Sequence, residues 1–383
     1  MTKDVLRALT DARPAHLDPD APTPGQTRTA ELAHAMAAPR DARTRSFRIA
    51  KPVWAAGLAG VAAVTALAVA VSGGTAPRAP DRSKSGGDQT VPMSASQILL
   101  AAADSSLRTP AGSGAYWYTS SESGTYLPVG TKTHYLVKSI QHDWNWVARS
   151  PTATSWFTSQ FMGTHPVDEA AWRADGSPTH WRVSAALMKR HAAKGGSQVD
   201  LSTTGNPSFG NPINMGPLVF DLVGTNVSVR TVMDLPGDEA ALRRRLLRGY
   251  AGHSTEANDP MGRDPWLFQV TINLLSAMPV SPDTRAAAYK ILAHLAGTRS
   301  LGQVKDALGR TGQGVAIAEG STGLERQIIV DTRTGLLLSD QTAVLKASAS
   351  YPWAKPGTVV FYAAVQKAGW SDAQPIKPTH QYP

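Results

Sequence analysis

The sequence predicts an α+β protein in which one transmembrane helix precedes an extracytoplasmic domain, built on an antiparallel sheet with a helical insertion. Three observations lead to this fold class. Residues 52–72 form an uncharged stretch rich in alanine and valine. Beyond it, apolar residues first alternate, then follow i, i+4 spacing from Asp234 to Gly297, and then alternate again. Strands, helices and strands in that order are typical of an α+β domain.

The uncharged stretch predicts a membrane span. No residue between Lys51 and Arg78 is charged, and about 20 residues at about 1.5 Å each cross a hydrocarbon core of about 30 Å. Five basic residues precede it, namely Arg40, Arg43, Arg45, Arg48 and Lys51. By the positive-inside rule, residues 1–51 then lie in the cytoplasm and the C-terminal domain lies outside the plasma membrane. A cleaved signal peptide is the alternative, but its apolar stretch is normally only about 7–15 residues long.

Composition divides the rest of the chain. Residues 1–51 form a basic segment that we expect to be largely disordered, because its helical stretches are too short to be stable alone. Residues 73–92 are rich in Gly, Pro and Ser and are predicted to be a flexible stalk. Residues 93–383 are predicted to form the outer domain, with its helical insertion at about 238–296.

Composition also excludes several classes of function. The chain has no cysteine, so disulfides, thiolate metal sites and cysteine nucleophiles are ruled out. Of the 38 Lys/Arg and 29 Asp/Glu, residues 1–51 hold nine and six, which leaves 29 and 23 without a dense basic block. A nucleic-acid site needs clustered phosphate contacts, so nucleic acid is not predicted as a partner.

The outer domain begins with a helix and continues with strands. Ser94 and Gln97 form a capping box in front of an apolar helix face. Alternating apolar residues predict strands at 116–119, 134–137 and 144–147. The turn residues Asp175 and Gly176 predict a β-hairpin between segments 169–174 and 179–184.

Three helices and a second group of strands follow. The helices are marked by Leu242 and Leu246, by Asp264-Pro265, and by the cap Ser281-Pro282. Segments 327–331 and 336–339 flank a hairpin loop, in which Gly335 takes the left-handed position. Residues 359–362 are the last clear strand.

With these elements placed, the chain resembles an uncharacterised family of actinobacterial single-pass membrane proteins. Its cytoplasmic arm, anchor, stalk and outer domain follow the plan of that family. The resemblance is carried by residues 169–177, by Asp234-Leu235-Pro236, by Ser281-Pro282 with residues 286–289, and by residues 329–335. The family has no settled activity, so the resemblance implies a relative and not a function.

The outer domain also looks more distantly like the half-barrel of bacterial lipoprotein carriers and related envelope-stress regulators. The shared feature is the hairpin at 327–340. This resemblance implies a curved antiparallel sheet and an apolar concavity that can hold acyl chains, although three consecutive helices interrupt the sheet here. Some family members are thought to lie beside extracytoplasmic-function sigma factors, which implies a link to sigma-factor regulation.

No pattern of residues predicts a catalytic, cofactor-binding or metal-binding site. Five histidines fall close together without ligand spacing, and they are His134, His142, His165, His180 and His191. His142 and Asp143 are expected to point to opposite faces of a strand. Residues 309–314 are glycine-rich, but we interpret them as a loop that follows a helix and opens a strand. The tryptophans between residues 117 and 181 are interpreted as core, and Arg243, Arg244, Arg245 and Arg248 as a solvated face.

Three classes of function stay open. A membrane-anchored binding or sensing protein is favoured, with a lipid or lipoprotein as ligand and a cytoplasmic regulator contacted by residues 1–51. A structural or assembly protein that engages another envelope protein is the alternative. An envelope enzyme is least favoured, and no cofactor is predicted.

Overall fold

The computed structural model describes residues 92–184, 198–213, 216–255, 259–348, 350–376, 378 and 380–381. The predicted cytoplasmic segment, the predicted span at 52–72 and nearly all of the predicted stalk lie outside these residues. Within the described part of the chain, no helix is both long enough and apolar enough to cross a membrane. The predicted membrane topology therefore stays a prediction.

The described residues form fourteen strands, ten of which make one large sheet. The strands are β1 (Tyr116–Val129), β2 (Tyr135–Ala148), β3 (Ser155–Pro166), β4 (His180–Ser184), β5 (Gln198–Ser202), β6 (Phe209–Ile213), β7 (Phe220–Leu222), β8 (Thr225–Val227), β9 (Arg299–Lys305), β10 (Thr311–Ala318), β11 (Leu324–Asp331), β12 (Leu336–Val344), β13 (Val359–Ser371) and β14 (His380–Gln381). The order in the large sheet is β14-β6-β3-β2-β1-β13-β12-β11-β10-β9. All neighbours in it are antiparallel except β14 and β6.

Six α-helices accompany the sheet in the described residues. They are α1 (Ala95–Arg108), α2 (Glu169–Ala174), α3 (Val229–Met233), α4 (Glu239–Leu247), α5 (Arg263–Ala277) and α6 (Pro282–Ala293). Ser94 and Gln97 form the predicted capping box at α1, and Ser281 caps α6 with Pro282 in its first turn. The predicted α+β class with a large antiparallel sheet is confirmed.

The main core lies between the helices and one face of the sheet. Leu99 of α1, Leu274 of α5 and Tyr289 of α6 are fully buried there. Val315 of β10 and Ile328 of β11 complete the same cluster from the sheet side. The three helices predicted between about 238 and 296 are therefore present and packed, and the short α3 precedes them without having been predicted.

Two predictions for the second group of strands are also confirmed. β11 and β12 form the hairpin, and Gly335 has φ of 71°. Any side chain at Gly335 would meet Ser106 and the backbone of α1, so glycine also permits this close approach. The segments 134–137 and 144–147 were predicted as separate strands, but residues 135–137 and 144–147 belong to the single long strand β2.

The hairpin predicted at 169–184 is wrong. Residues Glu169–Ala174 form helix α2, because Asp168 caps it by accepting a hydrogen bond from the backbone N–H of Ala171. The segment after the turn is a strand, but its partner is β5. Gly176 therefore ends a helix and does not join two strands.

Residues 309–314 were predicted to be a loop that follows a helix, but they follow strand β9, and residues 311–314 already belong to strand β10. The Asp306 carboxylate closes the β9–β10 turn by accepting hydrogen bonds from the backbone N–H groups of Leu308 and Arg310. The Arg310 guanidinium then donates to the carbonyl oxygens of Leu338 and Val365, both at 2.7 Å. Leu338 is the extra residue of a β-bulge in β12, and Val365 adjoins another in β13. Arg310 thus ties two irregular places of the sheet together.

Candidate functional site

Strands β1 and β2 pair without a register shift over their whole length, so alternate residues mark one continuous face. Trp117 and Val147 oppose each other at one end of this face and belong to the main core. The Trp117 indole N–H donates to the carbonyl oxygen of Ala277 at the end of α5, at 2.8 Å. This face of the sheet is therefore the one that carries the helices.

The other end of the same face is apolar as well. Leu127 opposes Val137 there, and both pack against Trp181 of the small β4–β5 sheet. The Trp181 indole N–H donates to the Tyr135 hydroxyl at 2.8 Å, which fixes this small sheet against β2. Two separate apolar clusters thus lie at the two ends of one face.

Between the two clusters the face is polar. The four register pairs involved, here called the polar band, are Thr119/Asn145, Ser121/Asp143, Ser123/Gln141 and Thr125/Ser139. Along β1 the band extends about 20 Å, at about 3.4 Å per residue. Thr119, Thr125, Asp143 and Asn145 are buried, whereas Ser121, Ser123, Ser139 and Gln141 are half-buried and reachable. A core-facing surface of this length is normally apolar.

Asp143 is the titratable residue of the polar band. Its side chain accepts a hydrogen bond from the Gln141 amide at 3.0 Å and is bonded to Ser159 of β3. Burial raises the pKa of the Asp143 carboxyl, and these two hydrogen bonds only partly offset it. The carboxyl therefore favours its neutral form more strongly than an exposed aspartate does.

Thr119 and Asn145 leave hydrogen-bonding capacity unused. Both residues are 2% exposed and oppose each other in the register. Neither Thr119 Oγ1 nor Asn145 Nδ2 has a hydrogen-bond partner among the described residues. Most buried polar atoms in proteins are paired, because an unpaired one costs free energy of about 1–3 kcal/mol.

The same face continues across the sheet to a charged cluster. Ser123 opposes Ala363 of β13, which opposes Asp340 of β12. Arg326 of β11 holds Asp340 through two hydrogen bonds of 2.5 and 2.6 Å, and it lies 4.0 Å from Glu319. The positive charge of Arg326 is therefore balanced by the carboxylates of Asp340 and Glu319.

A second polar cluster lies on the opposite face of β1 and β2. Glu122 opposes His142, with His142 Nε2 at 2.9 Å from Glu122 Oε2. The Tyr362 hydroxyl of β13 donates to Glu122 Oε1 at 2.5 Å. Gly124 makes room for this contact, since any side chain there would clash with the Tyr362 ring.

The electrostatics of this second cluster centre on Glu122. Burial raises the pKa of Glu122, but hydrogen bonds from His142 and Tyr362 and the charge of Lys138 outweigh burial and leave the pKa below its usual value. Burial and the same carboxylate raise the pKa of Tyr362, and raise that of Tyr126 to about 12. Both carboxylate oxygens are occupied within the protein. The cluster is therefore better suited to join three strands than to take a proton from a ligand.

Of the five histidines singled out from the sequence, His142 lies in the second polar cluster, and the others that the structure describes lie elsewhere. His134, His165 and His180 are exposed, and His191 lies outside the described residues. In the described ranges no group of three His, Asp or Glu side chains could hold a metal. His142 and Asp143 do point to opposite faces, because one contacts Glu122 and the other Ser159.

Two other surface predictions can be placed. Trp117, Trp146 and Trp181 are buried, as core residues would be, whereas Trp144, Trp156 and Trp172 are only half-buried. On α4, Arg244 is exposed, and Arg243 lies 3.8 Å from Asp264. Neither these tryptophans nor these arginines belong to the polar band. The band was not predicted from the sequence, because it becomes visible only in the register of β1 and β2.

No family model and no curated protein matches the chain. The resemblance drawn from sequence motifs therefore stays a prediction.

Proposed function

We propose that this protein is a membrane-anchored extracytoplasmic binding protein, and that its polar band holds an amphiphilic molecule of the cell envelope. One observation carries the proposal: a polar surface on the helix-bearing face of the sheet lies between two apolar clusters. An amphiphile is satisfied by such a surface, because its polar groups meet the band and its apolar parts meet the clusters.

Burial and hydrogen bonding support this choice over a purely structural domain. A structural sheet gains stability when its inner face is apolar and closely packed. Here Thr119 and Asn145 keep unmet hydrogen-bonding atoms, while Ser121 and Ser123 remain half-exposed on the same strand. A bound molecule would cover the open part of the band and meet the half-exposed hydroxyls of Ser121 and Ser123.

The remaining parts of the chain complete the proposal. In it, residues 52–72 anchor the protein with residues 1–51 in the cytoplasm, and the sheet curves as in the half-barrel of lipoprotein carriers. Binding outside would then be signalled to a cytoplasmic regulator through residues 1–51. The stalk at 73–92 would have a root-mean-square span of about 25 Å if it behaves as a flexible linker, enough to keep the site near the membrane surface.

Native mass spectrometry of the detergent-purified full chain tests the proposal. We expect the wild type to carry a defined lipid or lipoprotein adduct. Ser123→Trp should lose the adduct, because an indole at this half-buried position fills the open part of the band. Gln303→Trp is the matched control, since Gln303 is an exposed residue of the edge strand β9.

Both variants keep the predicted anchor, so lipid bound by the anchor alone remains in each. Circular dichroism spectra and melting temperatures should show that both variants are folded. An adduct that is equal in all three proteins, or absent from all three, would contradict the proposal.

A further inference from the structure

The polar band is almost free of charged side chains, although half of its residues are partly exposed to solvent. Of its eight residues, Asp143 alone is ionisable, and the other seven are Ser, Thr, Asn or Gln. Neither lysine nor arginine belongs to the band. Its polar groups are therefore hydroxyls and carboxamides, which pair with uncharged oxygen and nitrogen atoms as readily as with ions.

The carboxyl of Asp143 is buried and already hydrogen-bonded within the sheet. It is 6% exposed and is bonded by neutral groups, the Gln141 amide and Ser159. The neighbouring imidazole of His142 points to the opposite face, where it meets Glu122. Without a cation on its own face, a buried carboxyl is more stable in its neutral form.

The charges farther across the same face are already compensated. Arg326 is held by Asp340 and lies near Glu319. An anionic headgroup at the band would thus meet a buried carboxyl and no available cation. For a cationic headgroup, the acidic side chain of the band is the Asp143 carboxyl, which is buried and already hydrogen-bonded. Either charged headgroup would therefore lose hydration without gaining an accessible opposite charge, and an uncharged headgroup avoids this cost in free energy.

We infer that the band selects an uncharged amphiphile, recognised through hydroxyl or carbonyl oxygens at Ser121, Ser123 and Gln141. The inference rests on the proposed function and adds to it the charge class of the ligand. The buried end of the band, Thr119 and Asn145, is likewise made of uncharged polar side chains.

Three probes with hydrocarbon chains of matching length and unsaturation but different headgroups test the inference. They are 1-oleoylglycerol, oleate and oleylamine, which are neutral, anionic and cationic at pH 7.5. Binding to the detergent-purified full chain is measured by displacement of a fluorescent fatty-acyl probe at fixed detergent concentration. We expect 1-oleoylglycerol to bind about tenfold more tightly than either charged probe, since one unfavourable buried charge is worth at least that factor.

A charge-swap variant makes the test specific for the band. Ser123→Lys places an ammonium group on the half-buried part of the band and should turn the preference toward oleate. Gln303→Lys adds the same charge on exposed β9 and should leave the wild-type order unchanged. If Ser123→Lys does not fold, Ser139→Lys supplies the charge from the facing strand.

The outcomes separate the inference from the proposed function. Oleate or oleylamine binding as tightly as 1-oleoylglycerol, or a preference unmoved by Ser123→Lys, would overturn the inference while binding itself stands. If none of the probes binds, the inference is overturned too. The proposed function is then judged separately by the co-purifying adduct and its loss in Ser123→Trp.

Discussion

The indole N–H of Trp117 donates to the main-chain carbonyl oxygen of Ala277 over 2.8 Å. This bond joins the start of β1 to the last residue of α5, and it sets where the helical layer ends on the sheet. The polar band begins two residues later on the same face, at Thr119.

Trp117→Phe should therefore destabilise the protein by about 1–3 kcal/mol, because the carbonyl of Ala277 loses its partner and a small cavity opens. Urea unfolding measures the effect, with secondary structure followed by circular dichroism instead of tryptophan fluorescence. Trp172→Phe is the matched control, since its indole also donates to a carbonyl oxygen, that of Pro178, but at a half-buried site. Equal losses in the two variants would show that the Trp117 bond has no special role.

Asp143→Asn should change how stability depends on pH. Burial raises the folded-state pKa of Asp143, so the native state is favoured below the unfolded-state pKa of about 3.9 and loses stability as pH rises through the folded-state pKa. The asparagine variant lacks this loss. It should match the wild type near pH 3 and be as stable or more stable at pH 7.

Melting temperatures across this pH range test the Asp143 prediction. Asp104→Asn, at an exposed position of α1, should follow the wild type throughout. An Asp143→Asn protein that is clearly less stable at pH 7 would mean that the carboxyl is ionised and used in the native state.

Glu122→Gln should show the opposite trend. The folded-state pKa of Glu122 lies below its usual value, so the carboxylate stabilises the fold above the unfolded-state pKa of about 4.3, and this contribution disappears as pH falls through the lowered pKa. The variant should be less stable than the wild type at pH 7, and the difference should shrink toward pH 3.

A second Glu–His pair serves as control for Glu122. Glu239 and His294 lie 2.8 Å apart, but the His294 side chain is 54% exposed. Glu239→Gln should therefore cost less, as exposed pairs contribute little. A pH-independent loss in Glu122→Gln would indicate that packing, and not the charge, explains its effect.

Gly124→Ala should destabilise the sheet by about 1–3 kcal/mol, because the added methyl group would clash with the Tyr362 ring. Gly369→Ala is a suitable comparison, since it also lies on a strand and no atom lies within 4 Å of the position that its methyl group would take. We expect Gly369→Ala to be neutral in thermal unfolding. Similar melting temperatures for both variants would argue against the tight packing of Tyr362 over β1.

The predicted topology is tested in intact, wall-stripped cells. Added protease should digest residues 94–383 and spare the first fifty, because five basic residues precede the uncharged stretch. Immunoblots with tags at either end report the two regions. Protection of the C-terminal tag would contradict the orientation, and a mature N-terminus near Gly73 would show that the segment is a cleaved signal peptide.

Local signals explain what was predicted correctly. Ser281 and Pro282 define the start of α6 through a cap and a fixed φ, which need no distant contact. Gly335 has a positive φ, and its N–H donates to the carbonyl oxygen of Asp331, four residues earlier, so this turn is also set locally. Helix α2 shows the limit of local signals. The pair Asp175-Gly176 is common both in hairpin turns and at helix ends, and the N-cap Asp168 decides between the two.

The polar band could not be read from single strands. Ser121 and Ser123 alternate with Glu122 and Gly124, so neither side of β1 is apolar there. Only the pairing with Asp143 and Gln141, and the position of Trp117 under α5, show which side faces inward. The Tyr362 contact depends on a residue 240 positions from Glu122, and no local pattern predicts it.

That long separation has a consequence for how the protein is made. β1 lies in the interior of the sheet, but its second neighbour is β13, near the C-terminus. If the domain is exported as predicted, the chain would carry an open strand edge until nearly all of it has crossed the membrane, and distant strand pairing is intrinsically slow. During that interval the nascent domain would be exposed to aggregation and proteolysis, so its yield should depend on chaperones more than its final stability would suggest.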